Sequence, residues 1–173
     1  MANEQPLPQS GTLPWTRSCF VCGEANPHGL HLRSRIEGDR VLLDHTTREA
    51  DLGYRHLTHG GIAMTLLDEV MTWAAILAAR QTCVAAEVSV RLRRPIPTGL
   101  YIRVAGWGTD RRLRLALTSG EITDPQGTVL ATATGKYSPM PAEGLHLCDK
   151  DFVISPESIP LARIFVPSPA RAP

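Results

Sequence analysis

The sequence predicts an α+β domain in which an antiparallel sheet of five to six strands wraps around one long central helix. Two observations support this fold class. Residues 58–80 form a single stretch rich in Ala, Leu and Met, with apolar residues on nearly every side, which is typical of a helix buried on most sides. Segments before and after this stretch alternate apolar and polar residues, which is the pattern of half-buried strands.

The composition fits one domain with an extension at each end. The chain has 173 residues, 43% of them hydrophobic, and a net charge of +1. It can therefore bury a core, and it gives no reason to expect a nucleic acid or a membrane as partner. No basic segment followed by an apolar run opens the chain, and four cysteines without such a signal favour a reducing compartment, so we expect a cytoplasmic protein.

Three regions are predicted along the chain. Residues 1–17 are rich in Pro, Gln, Gly and Ser, so we expect a flexible arm in which Trp15 packs onto the domain. Residues 18–140 hold the domain. Residues 141–173 are a Pro/Ala-rich extension with short apolar islands, which we expect to wrap the surface or a partner chain.

The first motif of the domain is Cys19-x2-Cys22, followed by His28 and His31. This combination suggests zinc, but five residues between Cys22 and His28 are too few for a zinc finger, which needs about twelve. A redox pair is an alternative, although no βαβ pattern surrounds it.

Strands are predicted from alternation and from turn residues between the segments. Turns are expected at 37–39, 108–110 and 124–127, and 48–58 is expected to be a loop that leads to the helix. In the strand that follows the helix, the even-numbered residues from Val84 to Leu92 are predicted to share one face and the odd-numbered residues from Ala85 the other. The predicted strands are 30–37, 40–46, 82–94, 100–107, 112–123 and 128–137.

The long helix begins at His59-Gly60-Gly61 and carries Asp68 and Glu69 near its middle. Two adjacent carboxylates there argue against a membrane span. The unpaired N–H groups at a helix N-terminus, together with the positive end of the helix dipole, form a natural site for an oxyanion.

This stretch resembles the hotdog-fold acyl-CoA thioesterases, in particular the PaaI-type branch of the phenylacetate pathway. Their signature is His-Gly-Gly followed by an apolar helix with an acid nine positions after the His, which here is Asp68. The resemblance implies the hotdog fold and hydrolysis of an acyl-CoA thioester. It assigns the polarising N–H to Gly60 and the nucleophile, or the base that activates water, to Asp68, with His59 and Gly61 in the same catalytic motif.

The resemblance extends to the Cys19-x2-Cys22 segment, because many of these proteins have a similar lead-in to their first strand. We therefore expect a structural turn there, with no metal and no cofactor. Two positions depart from the family. Gly53 stands where related enzymes often have Asn or Gln, and Ala85 stands where a Ser or Thr often assists the carboxylate.

These departures keep a second hypothesis open, a non-catalytic protein that binds acyl-CoA. Tyr54 or His56 is a candidate to replace the polar residue missing at Gly53. We expect His56 and His59 to form hydrogen bonds rather than to bind a metal. A hotdog hydratase or dehydratase fits less well, because Trp73 stands where those enzymes have a His, five residues after the acid.

The spacing of the helix residues predicts a dimer. Gly60 and Asp68 are eight residues apart, or about 12 Å along a helix, whereas a donor and an attacking group must both lie about 3 Å from one carbonyl. Two antiparallel copies of the helix solve this problem, with Gly60 of one chain facing Asp68 of the other. We expect a homodimer, which in this family can pair further into a homotetramer.

Arginines cluster at the predicted strand ends. They either form a solvated face or bind the phosphates of coenzyme A, since guanidinium groups match phosphate oxygens well. The candidate substrate-binding residues are Arg91, Arg93, Arg94, Tyr54 and His56, and a second cluster consists of Arg111, Arg112 and Arg114.

Overall fold

The computed structural model describes residues 6–112, 115–140 and 150–165, and of Arg111 and Arg112 the backbone alone. Seven strands form one antiparallel sheet in the order β1-β2-β3-β5-β6-β7-β4. The strands are β1 Ser10–Thr12, β2 Arg35–Glu37, β3 Arg40–Thr46, β4 Cys83–Leu92, β5 Tyr101–Arg112, β6 Leu115–Thr123 and β7 Val129–Pro139. The helices are a 3₁₀ turn Glu49–Asp51, the long helix α1 Gly60–Ala79 and the short helix α2 Leu161–Ile164.

The predicted fold class is confirmed, since the sheet packs against one long helix. α1 is capped by His59 at its start and by Arg80 at its end, where Arg80 adopts a left-handed conformation with φ 59°. Its inner residues meet the sheet in a single core. The fully buried members of this core include Leu66, Leu67, Val70, Met71, Ile102, Val104 and Ile122.

α1 is also the one helix of the described residues that is long and apolar enough to cross a membrane, with a mean hydropathy of 1.6. Length and composition alone carry little weight here, because the central helix of a folded domain has the same properties. In this fold α1 lies against the sheet, and its buried residues are distributed from Ala63 to Ala79.

The sheet has more strands than the five to six expected, because the N-terminal segment joins it. β1 pairs with β2, and Leu13 and Trp15 are buried. The expectation of a flexible arm over 1–17 is therefore wrong for residues 10–15, while the packing of Trp15 onto the domain is confirmed.

The predicted strand 30–37 is much shorter in the structure, where β2 covers only Arg35–Glu37. The residues before it are bonded instead to residues 19–23, here called the cysteine turn. Leu30 N–H donates to the carbonyl of Phe20 at 2.8 Å, and Leu32 N–H donates to that of Val21 at 2.9 Å. The backbone N–H groups that a longer β2 would use for strand pairing are thus already bonded to this turn.

β-Bulges account for two further differences. The turn predicted at 108–110 is wrong, because β5 continues to Arg112 and absorbs one extra residue between Gly108 and Asp110. In β4 the register shifts between Ala85 and Glu87, so the alternation of faces reverses there. Ala85 consequently shares the helix-facing side with Val88, and Val84 turns outward.

The described part of the C-terminal extension folds back onto the chain's own N-terminal segment. Val153 N–H donates to the carbonyl of Trp15 at 2.9 Å, and Ile159 N–H donates to that of Thr12 at 2.9 Å. Ile164 in α2 is fully buried. The extension therefore covers the surface of its own domain over 150–165, and the rest of the predicted region lies outside the described residues.

Candidate active site

The three residues of the His-Gly-Gly motif have different positions at the start of α1. His59 is the N-cap, and its Nδ1 accepts a hydrogen bond from the N–H of Gly61 at 2.9 Å. Gly60 is the first helical residue, and the first N–H groups of an α-helix have no acceptor within it. Gly60 thus presents its N–H outward, whereas the N–H of Gly61 is already bonded to His59.

A buried polar cluster that the sequence analysis missed holds the loop before α1. The carboxylate of Asp51 accepts hydrogen bonds from His45 Nε2 at 3.0 Å, from the N–H of Arg48 at 2.9 Å and from the Arg48 guanidinium at 2.8 Å. The backbone carbonyl of Asp51 accepts the N–H of His59 at 2.7 Å. The cluster therefore fixes the residue from which the helix starts.

Electrostatics favour the ionised form of Asp51. Burial raises its pKa, but the hydrogen bonds from Arg48 and His45 and the charge of Arg48 outweigh burial and hold the pKa below the usual value. No sequence spacing indicated this cluster, because its members pair only once β3 and the 3₁₀ turn are folded.

Gly53 lies against the start of the helix, which explains why a small residue stands there. A Cβ on Gly53 would lie 2.9 Å from the Cα of His59 and 3.2 Å from its Cδ2. An Asn or Gln at this position would collide with His59 unless the loop moved. The polar residue that related enzymes often have there has no room in this chain.

Asp68 lies on α1, half-buried, with a partner that the sequence analysis also missed. The hydroxyl of Tyr137 on β7 donates a hydrogen bond to Asp68 Oδ1 at 2.8 Å. Tyr137 is fully buried, and burial together with the neighbouring Asp68 charge raises the pKa of its hydroxyl, so the hydroxyl stays protonated as a donor. Ala85 lies directly opposite Tyr137 in the register of β4 and β7.

Tyr137 therefore supplies a hydroxyl next to the position where the family often has a Ser or Thr. The inward positions of β7 before it hold small residues, Ala131, Ala133 and Gly135. A single large Tyr at the end of such a series is a recognisable signal, but only the strand register shows that it faces Asp68.

A cavity of about 320 Å³ opens at the N-terminal end of α1. Its walls include Tyr54, Gly60, Leu92, Arg93 and Arg94. The structure thus brings several predicted residues together around the Gly60 end of the helix. Asp68 is not among the residues that line this cavity.

The other predicted substrate-binding residues lie farther out. Arg93 and Arg94 also line an adjoining groove beside Thr128 and Thr132. His56 adopts a left-handed conformation with φ 62° in the turn before α1, where its carbonyl accepts the N–H of Thr98 at 3.1 Å, and it does not line the cavity. Arg91 is exposed on β4, and the side chains of Arg111, Arg112 and Arg114 lie outside the described residues.

The comparisons with known proteins agree with this architecture. Residues 56–131 match the family model described as the thioesterase superfamily, while no curated protein matches the chain. Among solved structures, a thioesterase superfamily protein aligns with a TM-score of 0.63 and 23% identity over 70% of this chain and 60% of that one, less than two thirds of its length.

Two further structures show the same fold at lower identity. PaaI of E. coli, from the phenylacetic acid degradation operon, aligns with a TM-score of 0.56 and 18% identity over 61% of this chain and 75% of its own. A hypothetical thioesterase from Streptococcus pneumoniae, solved with coenzyme A, aligns with a TM-score of 0.56 and 18% identity over 59% of this chain and 82% of its own. The match to the thioesterase superfamily model therefore covers residues 56–131, and the chain has the hotdog fold that the motif predicted, which is also the fold of PaaI.

Proposed function

We propose that this protein hydrolyses acyl-CoA thioesters at a site shared by two copies of the chain. The N–H of Gly60 from one chain binds the thioester carbonyl oxygen, and Asp68 of the other chain attacks the carbonyl or activates a water molecule. The products are the free acid and coenzyme A. The family match and the coenzyme A in the S. pneumoniae structure support the substrate class.

The observation that carries this proposal is the arrangement of two half-sites on one helix. Gly60 and Asp68 both lie on α1, separated by about 12 Å along its axis. The first has an N–H without a helical acceptor at the mouth of a cavity, and the second is a half-buried carboxylate held by Tyr137. Two antiparallel copies of α1 bring one of each to the same thioester.

The edge of the sheet supports a pairing of two chains. β4 lies at one end of the strand order, and among the described residues no strand pairs with its outer side. Val84 and Leu92 on this strand are 48% exposed, and Met64 on α1 is 44% exposed. A long edge strand with exposed apolar side chains is a ready partner for a second copy. A further pairing of dimers stays a prediction, which sedimentation would check.

The proposed chemistry depends on groups that bind the transition state more strongly than the ground state. Negative charge develops on the carbonyl oxygen as the thioester is attacked, and the Gly60 N–H at the positive end of α1 stabilises it. The Tyr137 hydroxyl keeps one oxygen of Asp68 bonded, which fixes the orientation of the carboxylate. Arg93 and Arg94 are placed to bind the phosphates of coenzyme A at the cavity mouth.

The first test removes the carboxylate. Asp68→Asn should lower kcat for thiol release from acyl-CoA by about 10²–10⁴-fold, because the base or nucleophile is gone. Asp39→Asn, in the exposed turn between β2 and β3, is the matched control and should retain full activity. Turnover by Asp68→Asn at the rate of this control, on every substrate that the wild type cleaves, would refute the role of Asp68.

The second test removes the proposed oxyanion donor, the N–H of Gly60. Proline lacks an N–H and is tolerated at the first position of a helix, so Gly60→Pro deletes the donor with little damage to α1. His59 already has the extended conformation that a following proline requires, with φ −62° and ψ 133°. We expect kcat to fall by about 10²–10³-fold. Gly60→Ala controls for the added Cβ, which approaches Leu92 Cδ1 to 2.9 Å, because it keeps the N–H.

The alternative function, acyl-CoA binding without hydrolysis, has a specific observation in its favour. His59 excludes a polar side chain at position 53, so a residue that often assists the family's chemistry is absent. A thiol-release screen across short, long and aromatic acyl-CoAs, run beside a binding measurement, separates the two functions. Binding without thiol release on all substrates would replace hydrolysis by this alternative.

A further inference from the structure

Two thiols and a carboxylate lie close together between the cysteine turn and α1. Cys19 and Cys22 lie in the turn, and Glu69 reaches it from α1. The two Sγ atoms and a carboxylate oxygen all lie within 4.8 Å of one another. Cys22 is buried, and Cys19 and Glu69 are half-buried. The proposed thioester chemistry uses none of these three side chains.

The backbone of the turn is arranged around the Cys19 sulfur. The N–H groups of Val21 and Cys22 point at Cys19 Sγ, at 3.3 Å and 3.5 Å. The turn closes through Gly23, whose N–H donates to the carbonyl of Cys19 at 2.9 Å. Backbone donors directed at a sulfur stabilise a thiolate, which is the form that binds metals.

The distances suit a tetrahedral metal ion. With zinc–sulfur bonds of about 2.3 Å, two thiolates on one tetrahedral zinc lie about 3.8 Å apart. In the cluster the three ligand atoms lie within 4.8 Å of one another, so small side-chain shifts bring them to this spacing.

We propose that Cys19, Cys22 and Glu69 form a binding site for a divalent ion of the zinc class, with a water molecule as fourth ligand. Soft thiolates exclude calcium and magnesium, which prefer oxygen ligands, and favour zinc or cobalt(II). Binding displaces the two thiol protons, and the ion joins the cysteine turn to α1 beside Asp68. The sequence predicts no metal here, because five residues between Cys22 and His28 are too few for a zinc finger. The third ligand, Glu69, lies far along the chain on α1.

The test uses the full chain, purified with a reductant and stripped of metal. Zinc is titrated against a chromophoric chelator, cobalt(II) is titrated by absorption spectroscopy, and bound metal is measured by elemental analysis. We expect one ion per chain, a thiolate-to-cobalt charge-transfer band, and release of about two protons per zinc. Thermal melting should rise with zinc, because an ion that binds only the folded state stabilises it.

Variants assign the ion to the cluster. Cys22→Ser should abolish most of the charge-transfer band, and Glu69→Gln, which leaves both thiols in place, should keep the band but weaken zinc affinity by at least about tenfold. Cys83→Ser, a buried thiol on β4, and Glu87→Gln, an exposed carboxylate, are the matched controls and should bind as the wild type does. Melting curves without metal verify that each variant folds.

Three results would overturn the proposal. One is a reduced, folded wild type that takes up no stoichiometric zinc or cobalt. Another is metal uptake that Glu69→Gln and Cys22→Ser leave unchanged. The third is a Cys19–Cys22 disulfide that persists in the reductant, because it would identify the pair as a redox element. None of these readouts depends on thioesterase activity.

Discussion

At the scale of single residues, one hydroxyl decides how the Asp68 carboxylate is held. Tyr137 donates to Asp68 Oδ1 from a fully buried position on β7. Ala85 on the neighbouring strand faces the same side, directly opposite Tyr137, and has no polar atom to offer. Tyr137 therefore gives Asp68, from the neighbouring strand, the polar partner that Ala85 lacks.

This arrangement predicts a kinetic effect of Tyr137→Phe. A hydrogen bond to a charged group contributes about 1.5–3 kcal/mol, so its loss should lower kcat by about tenfold or more. KM should stay nearly unchanged, because Tyr137 does not line the cavity at Gly60. Steady-state thiol release gives both constants.

Two variants separate positioning from a general packing effect. Tyr101→Phe removes the hydroxyl of an exposed tyrosine on β5 and should leave kcat unchanged. Ala85→Ser in the Tyr137→Phe background restores a hydroxyl on the same face and should recover part of the lost kcat. A Tyr137→Phe enzyme with wild-type kcat would show that this hydroxyl has no role.

Gly53 gives a second prediction at this scale. In Gly53→Ala the new Cβ lies 2.9 Å from the Cα of His59, so the helix start must shift. We expect a loss of about 1–3 kcal/mol of unfolding free energy, together with reduced kcat. Gly108→Ala is the control, since its Cβ would meet only Ala78 at 3.8 Å. Equal stabilities of the two variants in urea would contradict the close approach at Gly53.

At the scale of elements, the start of α1 depends on the cluster around Asp51. The Asp51 carboxylate ties His45 on β3 to Arg48, and its carbonyl holds the N–H of His59. Loop, strand and helix are thus joined by one residue. The position of the Gly60 N–H therefore depends on this junction.

The pH dependence of stability tests that junction. The pKa of Asp51 is lowered from 3.8 in the folded state, so its contribution is present above that value and is lost as pH falls through the folded pKa. Asp51→Asn should cost about 1–3 kcal/mol of unfolding free energy at neutral pH. This difference from wild type should shrink below about pH 4.

Urea unfolding at a series of pH values measures the effect, with exposed Asp39→Asn as the control. A cost of Asp51→Asn that stays constant from neutral pH down to about pH 2 would mean that Asp51 does not supply the acid-sensitive part of the stability.

The elements differ in how well the sequence predicts them, for physical reasons. α1 follows from local composition, so its ends were predicted within two residues of Gly60 and Ala79. The β4 bulge at Ala86 adds a single residue that no periodicity displays, and it reverses the faces assigned to Val84 and Ala85. β1 was not predicted, because the short segment Ser10–Thr12 has no apolar residue and forms a strand only through pairing with β2.

At the scale of the whole molecule, the same distinction applies to the site. Gly60 and Asp68 could be proposed from the sequence because they share one helix and one motif. Tyr137 and Asp51 were missed because their contacts depend on strand register and loop closure, which the chain order does not reveal. Cys19, Cys22 and Glu69 form the same kind of long-range group.

Two half-sites on one helix predict complementation between inactive variants. Asp68→Asn and Gly60→Pro should each be nearly inactive as homodimers. In a mixed dimer, one site combines the intact Gly60 of the first chain with the intact Asp68 of the second, and the other site has neither. Mixed dimers, isolated through two different affinity tags, should therefore show about half of the wild-type kcat per dimer. A mixture of Asp68→Asn with the double variant Asp68→Asn/Gly60→Pro contains no intact pair and should stay inactive. If both groups served the same site from one chain, no mixture would recover activity, because each chain carries one defect.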